Sequence, residues 1–517
     1  MLLGIDIDTH TARAAWHAPN GQAALVPLPD GATSMPALLR QTMHGVVVGA
    51  EAVQALVGNS ETTVVGCTRL MGRATALPAA LLERLPFAVR LVGDEAVCDL
   101  LYAEVRAADV YGELVAELVR QASLMLGQPV DEVVLSVPAS AEDRFRVQAR
   151  TAVEARGLRV RRLISQPAAA LLALTRDPRY STLPLATVAV VQCGGGTLDC
   201  SIATRTGEQV RLKATAGDTL LGGDDLVWAV VQGLNQRFQR AYGIDVLTMS
   251  NSRAAAFGLR SAAEGLLRDL ATRPVSRVTL DHGGGFARDL QTTVSQADLH
   301  SWIEAWLCRV PAVIQRSLSH AGIKARQLDA VLLTGEWAFV PSLQQTLAAA
   351  FGRQPDQFLL DPTGELVARG AVLAGSIVGA IWDVTPYALG INCFIRDVEQ
   401  LSVIVPANTS VPTPGPNERE TLVQQYWTRF PDQTQVTLDV LQYRGAKQPT
   451  AQGGAVVVPH ECEVLGSWTF DGLRPKRGEC AAFTVTFTVD ADGILQLYAR
   501  ENATGHNLSV TIDRGIG

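Results

Sequence analysis

The chain has 517 residues, too many for one ordinary hydrophobic core, so two to four domains are expected. Apolar residues make up 47% and charged residues 18%, a balance that favours burial and excludes wholesale disorder. The formal net charge is −7 and no basic run exceeds a pair such as Arg161-Arg162, which argues against nucleic acid as a partner.

Met1 leads straight into LLGIDI without a basic leader and apolar h-region, so a cytoplasmic protein is expected. No apolar run approaches the roughly 20 residues of a membrane span. The eight cysteines are scattered without C-x-x-C spacing and read as buried free thiols.

In chain order, Leu2–Ile7 is a short buried strand that runs into Asp6-Ile7-Asp8-Thr9-His10-Thr11, and residues 12–17 pair back on it. Asp6 at the strand end suits either a metal's water shell or a turn cap, and the residues alone leave both open. Val110, Leu114, Leu118, Ala122 and Leu126 recur every four residues, one helix face ended by Gly127. A strand over 132–137 stops at Pro138, and Ser140 with Glu142 and Asp143 reads as a helix start with Ser140 as its cap. Leu163-Ile164 forms the next strand, and Pro167 opens an almost wholly apolar helix. Strand, helix, strand, helix is the order of an α/β layer.

The stretch VAVVQCGGGTLDCSI (188–202) then reads as a strand, a tight turn and a returning strand. Successive N–H groups at Gly194, Gly195 and Gly196 form an anion nest to which Thr197 adds a hydroxyl; the alternative is a hairpin whose glycines only relieve crowding. Gly222-Gly223 opens a helix to Tyr242 and is a second candidate for N–H groups aimed at an anion. In the helix over 254–270, Glu264 and Arg268 are spaced as an i, i+4 pair. Residues 301–320 read as one helix, 328–333 as a strand ending at Thr334-Gly335, and 364–379 as a small-residue helix. Beyond about Asp383 the period becomes two, clearest in FTVTFTV (483–489), whose apolar and threonine faces place it on one side of a sandwich core. Asp492-Gly493 supplies the hairpin turn.

These elements in this order resemble the 70-kDa heat-shock chaperone family of the DnaK type. The agreement lies in GIDIDTHT (4–11), VVLSVPAS (133–140), SQPAAA (165–170), VVQCGGGTLD (190–199), AGDTLLGGDDL (216–226), AAEGLL (262–267), DVTPYALGI (383–391), NTSVPT (408–413) and FTVDADGIL (487–495). The resemblance implies an α/β, actin-like two-lobed nucleotide domain over 1–376, a linker over 377–383 and an all-β peptide-binding sandwich over 384–517. It implies ATP or ADP with Mg²⁺ as cofactor and unfolded or extended polypeptide segments as partners. The family's helical lid is expected to be absent, because the chain ends soon after the last strand.

By the same resemblance, Asp6 positions magnesium-bound water and, with Thr197, belongs to the catalytic set. Thr9, Gly194, Gly195, Gly196 and Thr197 hold phosphates; Gly222, Gly223 and Gly335 contact nucleotide, and Glu264 meets the adenosine. Pro138 and Asp383 couple the domains, and Leu389, Ile391 and Phe394 line the peptide groove, with plain sandwich-core roles as the alternative for Leu389 and Ile391. The departures from the family are chemical. Asp8 stands for a glycine, His10 for a hydroxyl residue, Thr68 for the catalytic lysine, Gln166 for a glutamate and Gln192 for an aspartate. Leu267 and Ala271 replace adenosine-side polar residues, while Glu336 and Phe339 fall where a glycine and a stacking arginine belong; Phe339 offers a flat surface instead. Loss of these charges predicts ATP hydrolysis that is weak or absent, and leaves nucleotide binding open. An active ATP-dependent chaperone and an actin-like assembly scaffold are the alternatives.

Overall fold

The computed structural model describes residues 1–53, 60–73, 77–85, 87–93, 95–248, 253–281, 286, 288–377, 381–414, 422–445 and 456–512. Two sheets repeat one local plan. In the first, Leu2–Ile7 lies parallel to Glu132–Val137 on one side and antiparallel to Thr11–His17 on the other. In the second, Thr187–Cys193 lies parallel to Ala330–Thr334 and antiparallel to Leu198–Thr206. Each plan places a tight turn at the C-terminal end of its buried central strand, and the two turns face one another.

Helices Gln166–Arg176 and Glu365–Ser376 pack between the sheets. Small residues allow this: a Cβ at Gly4 would stand 2.2 Å from the Val372 nitrogen, and one at Gly370 would stand 1.8 Å from the Ala169 carbonyl oxygen. On helix Ala107–Leu126, Val110, Leu114, Leu118 and Ala122 are fully buried, and Gly127 closes it in the left-handed region.

Several local expectations are corrected. Residues 301–320 are two helices, Gln296–Leu307 and Val310–Ala321, because Pro311 has no N–H for a continuous ladder and sits instead in a first turn. The helix after Pro138 is Asp143–Glu154 with Glu142 at its N-cap and no side-chain cap; Ser140 instead hydrogen-bonds Asp199. Glu264 pairs with Arg260 (3.1 Å) rather than Arg268.

The C-terminal part is a sandwich of two four-stranded antiparallel sheets. One holds Ala388–Ile395, Val398–Val405, Val436–Tyr443 and Glu463–Phe470; the other holds Leu422–Trp427, Ala482–Val489, Leu495–Glu501 and Asn507–Thr511. Phe483, Val485, Phe487 and Val489 are buried while the intervening threonines are half-buried, so the period of two points one face into the core. Of the expected linker, 378–380 lie outside the described residues. Ile381–Val384 forms a strand whose Ile381 and Trp382 pair in parallel with Val210 and Arg211, extending the second α/β sheet. Polar contacts fasten the sandwich to the first unit. Leu163 N–H donates to Asp492 Oδ1 (2.7 Å), Arg146 to the Asp492 carbonyl (2.9 Å), and Leu495 N–H to Asp143 Oδ1 (2.8 Å).

Candidate functional site

The site lies where the two turns meet. In the first, Asp8 N–H donates to the Thr11 carbonyl (2.8 Å) and Asp8 Oδ1 accepts from Thr9 N–H (2.7 Å). In the second, the three glycines let the backbone come against the first turn. A Cβ at Gly194 would stand 3.1 Å from Asp8 Oδ1, one at Gly195 2.7 Å from Thr9 Cβ, and one at Gly196 2.9 Å from Arg69 Cγ. The turns are therefore in side-chain contact. Gly335, at φ +102°, closes the same corner, since a Cβ there would stand 2.5 Å from the Cys193 carbonyl oxygen.

The helix start at Gly222-Gly223 does not present free donors to an anion. Gly223 N–H donates to the Gly194 carbonyl (2.9 Å), Asp224 N–H to the Gly195 carbonyl (2.8 Å), and Gly222 N–H to Asp225 Oδ2 (3.0 Å). The second glycine pair thus binds the first glycine turn, which corrects the anion-site expectation for it.

Charged side chains fill the cleft from both walls. His10 Nε2 lies 2.8 Å from Asp224 Oδ1, and Nδ1 lies 2.5 Å from Glu336 Oε1. Arg69 reaches Asp224 (3.2 Å) and Asp225 (3.1 Å), Arg84 reaches Asp225 (2.5 Å), and Arg260 joins Asp224 to Glu264. Burial alone would lower His10, but Asp224 and Glu336 outweigh it and hold the imidazole well above its usual value. Burial likewise pushes Asp224 and Glu336 upward, and the cations Arg260 and His10 for Asp224, with His10 for Glu336, hold both below the ordinary carboxylate range. The negative charge that Glu336 brings to the cleft is thus matched by His10. Among the described residues Asp8 forms no ion pair; burial, then Glu336 and Asp6, push it up to about 6 against the Thr9 N–H and His10.

Behind the turns runs a buried polar chain. Asp6 Oδ1 accepts from Ser136 Oγ (2.5 Å) and from Gln166 Nε2 (2.9 Å), and Gln166 Oε1 accepts from Gln192 Nε2. Burial nonetheless raises Asp6. Gln192 Oε1 is buried without a hydrogen-bond partner among the described residues. The Thr197 hydroxyl donates to Asp199 Oδ2 (2.6 Å), and burial raises Asp199 to about 6. Beside this chain is a cavity of about 60 Å³ whose lining includes Asp8, Thr68, Arg69, Pro138, Gln192 and Thr197.

The tertiary structure brings together Asp6, Thr9, Gly194, Gly195, Gly196, Thr197, Gly222, Gly223 and Gly335, with Gln166 and Gln192. Glu264 takes part through Arg260. Phe339 stands against Trp337 with ring centroids 6.0 Å apart. Asp383 is elsewhere, in the strand Ile381–Val384, where its Oδ1 accepts from Val384 N–H (2.9 Å). Leu389 and Ile391 are 6% and 2% exposed in the sandwich core, as inward-facing positions of a period-two strand, and Leu389 also lines a cavity with Pro386, Tyr387 and Val411. Phe394, near the hairpin tip, is 43% exposed. The sequence reading missed Arg69, Arg84, Asp224 and Arg260. A signal was present for the network, since His10 and Glu336 depart from the pattern together with opposite charge.

Comparison with known proteins agrees with this fold. The pattern of the family described as Hsp70 protein matches residues 2–517. The chain belongs to the Hsp70 family. Among its relatives are the chaperone protein DnaK of Thermus thermophilus, 29% identical over 523 residues, covering 99% of this chain and 80% of that one. Another is the chaperone protein dnaK3 of Synechococcus elongatus, 30% identical over 524 residues, covering 99% of this chain and 66% of the relative. As an Hsp70-family chaperone, the protein has a family resemblance to nucleotide-binding ATPases. The residues present do not fit a magnesium–triphosphate group. His10, Arg69 and Arg260 are paired beside the turns with carboxylates of the protein, and Asp6 accepts from neutral Gln166, itself bonded to neutral Gln192, where negative charge would order a hydrated cation.

Proposed function

We propose that this Hsp70-family chaperone captures extended polypeptide segments through its β-sandwich in the cytoplasm, without an ATP-hydrolysis cycle. The architecture is a two-lobed actin-like domain over 1–376, a linker over 377–383 and a sandwich over 384–517. The repeated strand–turn–strand plan of the two α/β sheets supports the two-lobed reading.

The observation that carries the functional reading is the imidazole of His10 held between Asp224 and Glu336 in the cleft. Phosphoryl transfer needs a positioned water and cations to neutralise developing charge. Here His10, Arg69, Arg84 and Arg260 are engaged with carboxylates of the protein, and Thr68, Gln166 and Gln192 supply neither the ammonium nor the anions of the family's catalytic set. Asp6, Thr9 and Thr197 then serve as internal hydrogen-bonding groups, and Glu264 and Phe339 as packing of the cleft wall. The reading makes the lobes a self-closed platform for the sandwich.

The test is steady-state phosphate release from magnesium–ATP, with and without an unfolded polypeptide, alongside direct binding of that polypeptide. Release at background with measurable polypeptide binding is expected. Turnover stimulated by polypeptide at an ordinary chaperone rate would return the protein to the ATP-driven class.

A further inference from the structure

The joint between the first unit and the sandwich encloses a second cavity of about 30 Å³, room for two water-sized bodies at roughly 10–15 Å³ each. Its polar wall comes from Glu142, Asp143 and Arg146 on one side, Asp383 in the connecting strand, and Gln442 and Gly493 of the sandwich. Two of these side chains are buried with a polar atom left over. Asp143 is 7% exposed; its Oδ1 accepts from Leu495 N–H, and its Oδ2 has no hydrogen-bond partner among the described residues. Gln442 is 2% exposed, and its Nε2 is likewise unpartnered. Buried polar atoms are seldom left so, because their lost hydration goes unreplaced. The arginines nearest Asp143 are turned to carbonyls: Arg146 donates to Ala141 (3.2 Å) and Asp492 (2.9 Å), and Arg144 to Val464 (3.0 Å) and Leu465 (2.8 Å). Glu142 is engaged by Arg444, and Asp383 has the Arg162 charge beside it. Asp490 adds a negative charge near Asp143, which forms no ion pair among the described residues. Burial accordingly pushes Asp143 up to about 8 despite both arginines.

An occupant has to suit both atoms, bringing positive charge to Asp143 Oδ2 and an acceptor to Gln442 Nε2–H. A cation with one water of hydration does both, because the water oxygen turns one lone pair to the ion and the other to Nε2–H. Such a pair also matches the two water-sized positions. A divalent ion calls for several oxygen ligands and more than one carboxylate, and no group of three acidic, histidine or cysteine side chains suited to a metal occurs among the described residues. A monovalent ion balances Asp143 alone. We infer that the joint binds one monovalent cation, an alkali-metal or ammonium ion, on Asp143 Oδ2, with a water between the ion and Gln442 Nε2. Asp143 belongs to the first unit and Gln442 to the sandwich, so the site is assembled only in the docked form and ion binding stabilises docking. Ion and proton compete for the same oxygen, so the ion acts where Asp143 is ionised.

The test melts the full chain at pH 8 and constant ionic strength, in mixtures of tetramethylammonium chloride, whose cation is too bulky for the cavity, with potassium or ammonium chloride. The melting midpoint should rise with the logarithm of potassium or ammonium concentration, with a linkage of about one ion per chain. The rise should shrink at pH 6, where protons hold Asp143. Asp143→Asn keeps the acceptor for Leu495 N–H and should abolish the response. Gln442→Met should move the half-maximal response to about threefold higher cation concentration, through loss of the water's partner. A response to either ion that Asp143→Asn removes supports the site, and the ion with the larger response names the occupant. Equal midpoints in all three salts, or a response that survives Asp143→Asn, would overturn it.

Discussion

His10 Nδ1 and the Glu336 carboxylate meet at 2.5 Å across the cleft, although 326 residues separate them in the chain. With His10 also on Asp224, one imidazole ties the first turn to two elements of the opposite wall. The protein's own charges join the two walls of the cleft.

Removing one member of that network leaves its buried partners with fewer counter-charges. Asp224→Asn takes one of two carboxylates from each of Arg69, Arg260 and His10, and a loss of about 2 kcal/mol in unfolding free energy is expected. Denaturant titration measures it. A change under about 1 kcal/mol, the size of an exposed pair, would mean that the network does not hold the lobes.

The pH dependence follows from the raised value of His10. A histidine whose folded value lies above its unfolded 6.5 contributes stability that is complete below 6.5 and is lost as pH rises through the folded value. Asp8, raised to about 6 by burial, acts in the same direction, because its ionisation is disfavoured in the fold. Melting temperature should fall as pH rises from neutral toward His10's folded value, and His10→Gln should flatten that slope. An unchanged slope in the variant would assign it to other groups.

Restoring the missing charges tests whether the cleft itself is the obstacle. Thr68→Lys, Gln166→Glu and Gln192→Asp together should leave ATP turnover near background, because His10 still occupies the space between the turns. Adding Asp8→Gly and His10→Thr should then raise turnover by about 100-fold, the scale of one restored electrostatic contact. Recovery with the first three changes alone would place the whole defect in the catalytic set.

At the junction with the sandwich, Asp492 receives Leu163 N–H and pairs with Arg150, and its carbonyl accepts from Arg146. Asp492→Ala keeps the carbonyl that Arg146 reaches but is expected to weaken docking by about 3 kcal/mol through the loss of the carboxylate's contacts with Leu163 N–H and Arg150. X-ray scattering in solution should then report a more extended particle, while the sandwich keeps its own unfolding midpoint.

Docking should also respond to pH. Burial pushes Glu142 up to about 7, with Glu463 adding to the shift against Arg444, and burial pushes Asp143 up to about 8. Carboxyls raised by burial in the docked form take up protons on docking, so the docked form gains as pH falls through 7. Scattering at pH 6 and pH 8 should show the more compact particle at pH 6, and Glu142→Gln should reduce the difference.

Much of the architecture is written in local patterns. The strand ending at Asp6, the glycine turn at Gly194–Gly196 and the alternation from Phe483 to Val489 depend on backbone freedom and on periods of two and 3.6, which neighbouring residues state directly. Pro311 was also present to be read, yet the apolar spacing through 301–320 concealed the break it causes. What only the tertiary structure decided is where polar groups find partners. The Gly223 and Asp224 N–H groups go to the Gly194 and Gly195 carbonyls, Glu264 goes to Arg260, and Arg429 lies on Phe394. Such pairings join residues far apart in sequence, and their strength depends on burial and distance, which no local period encodes.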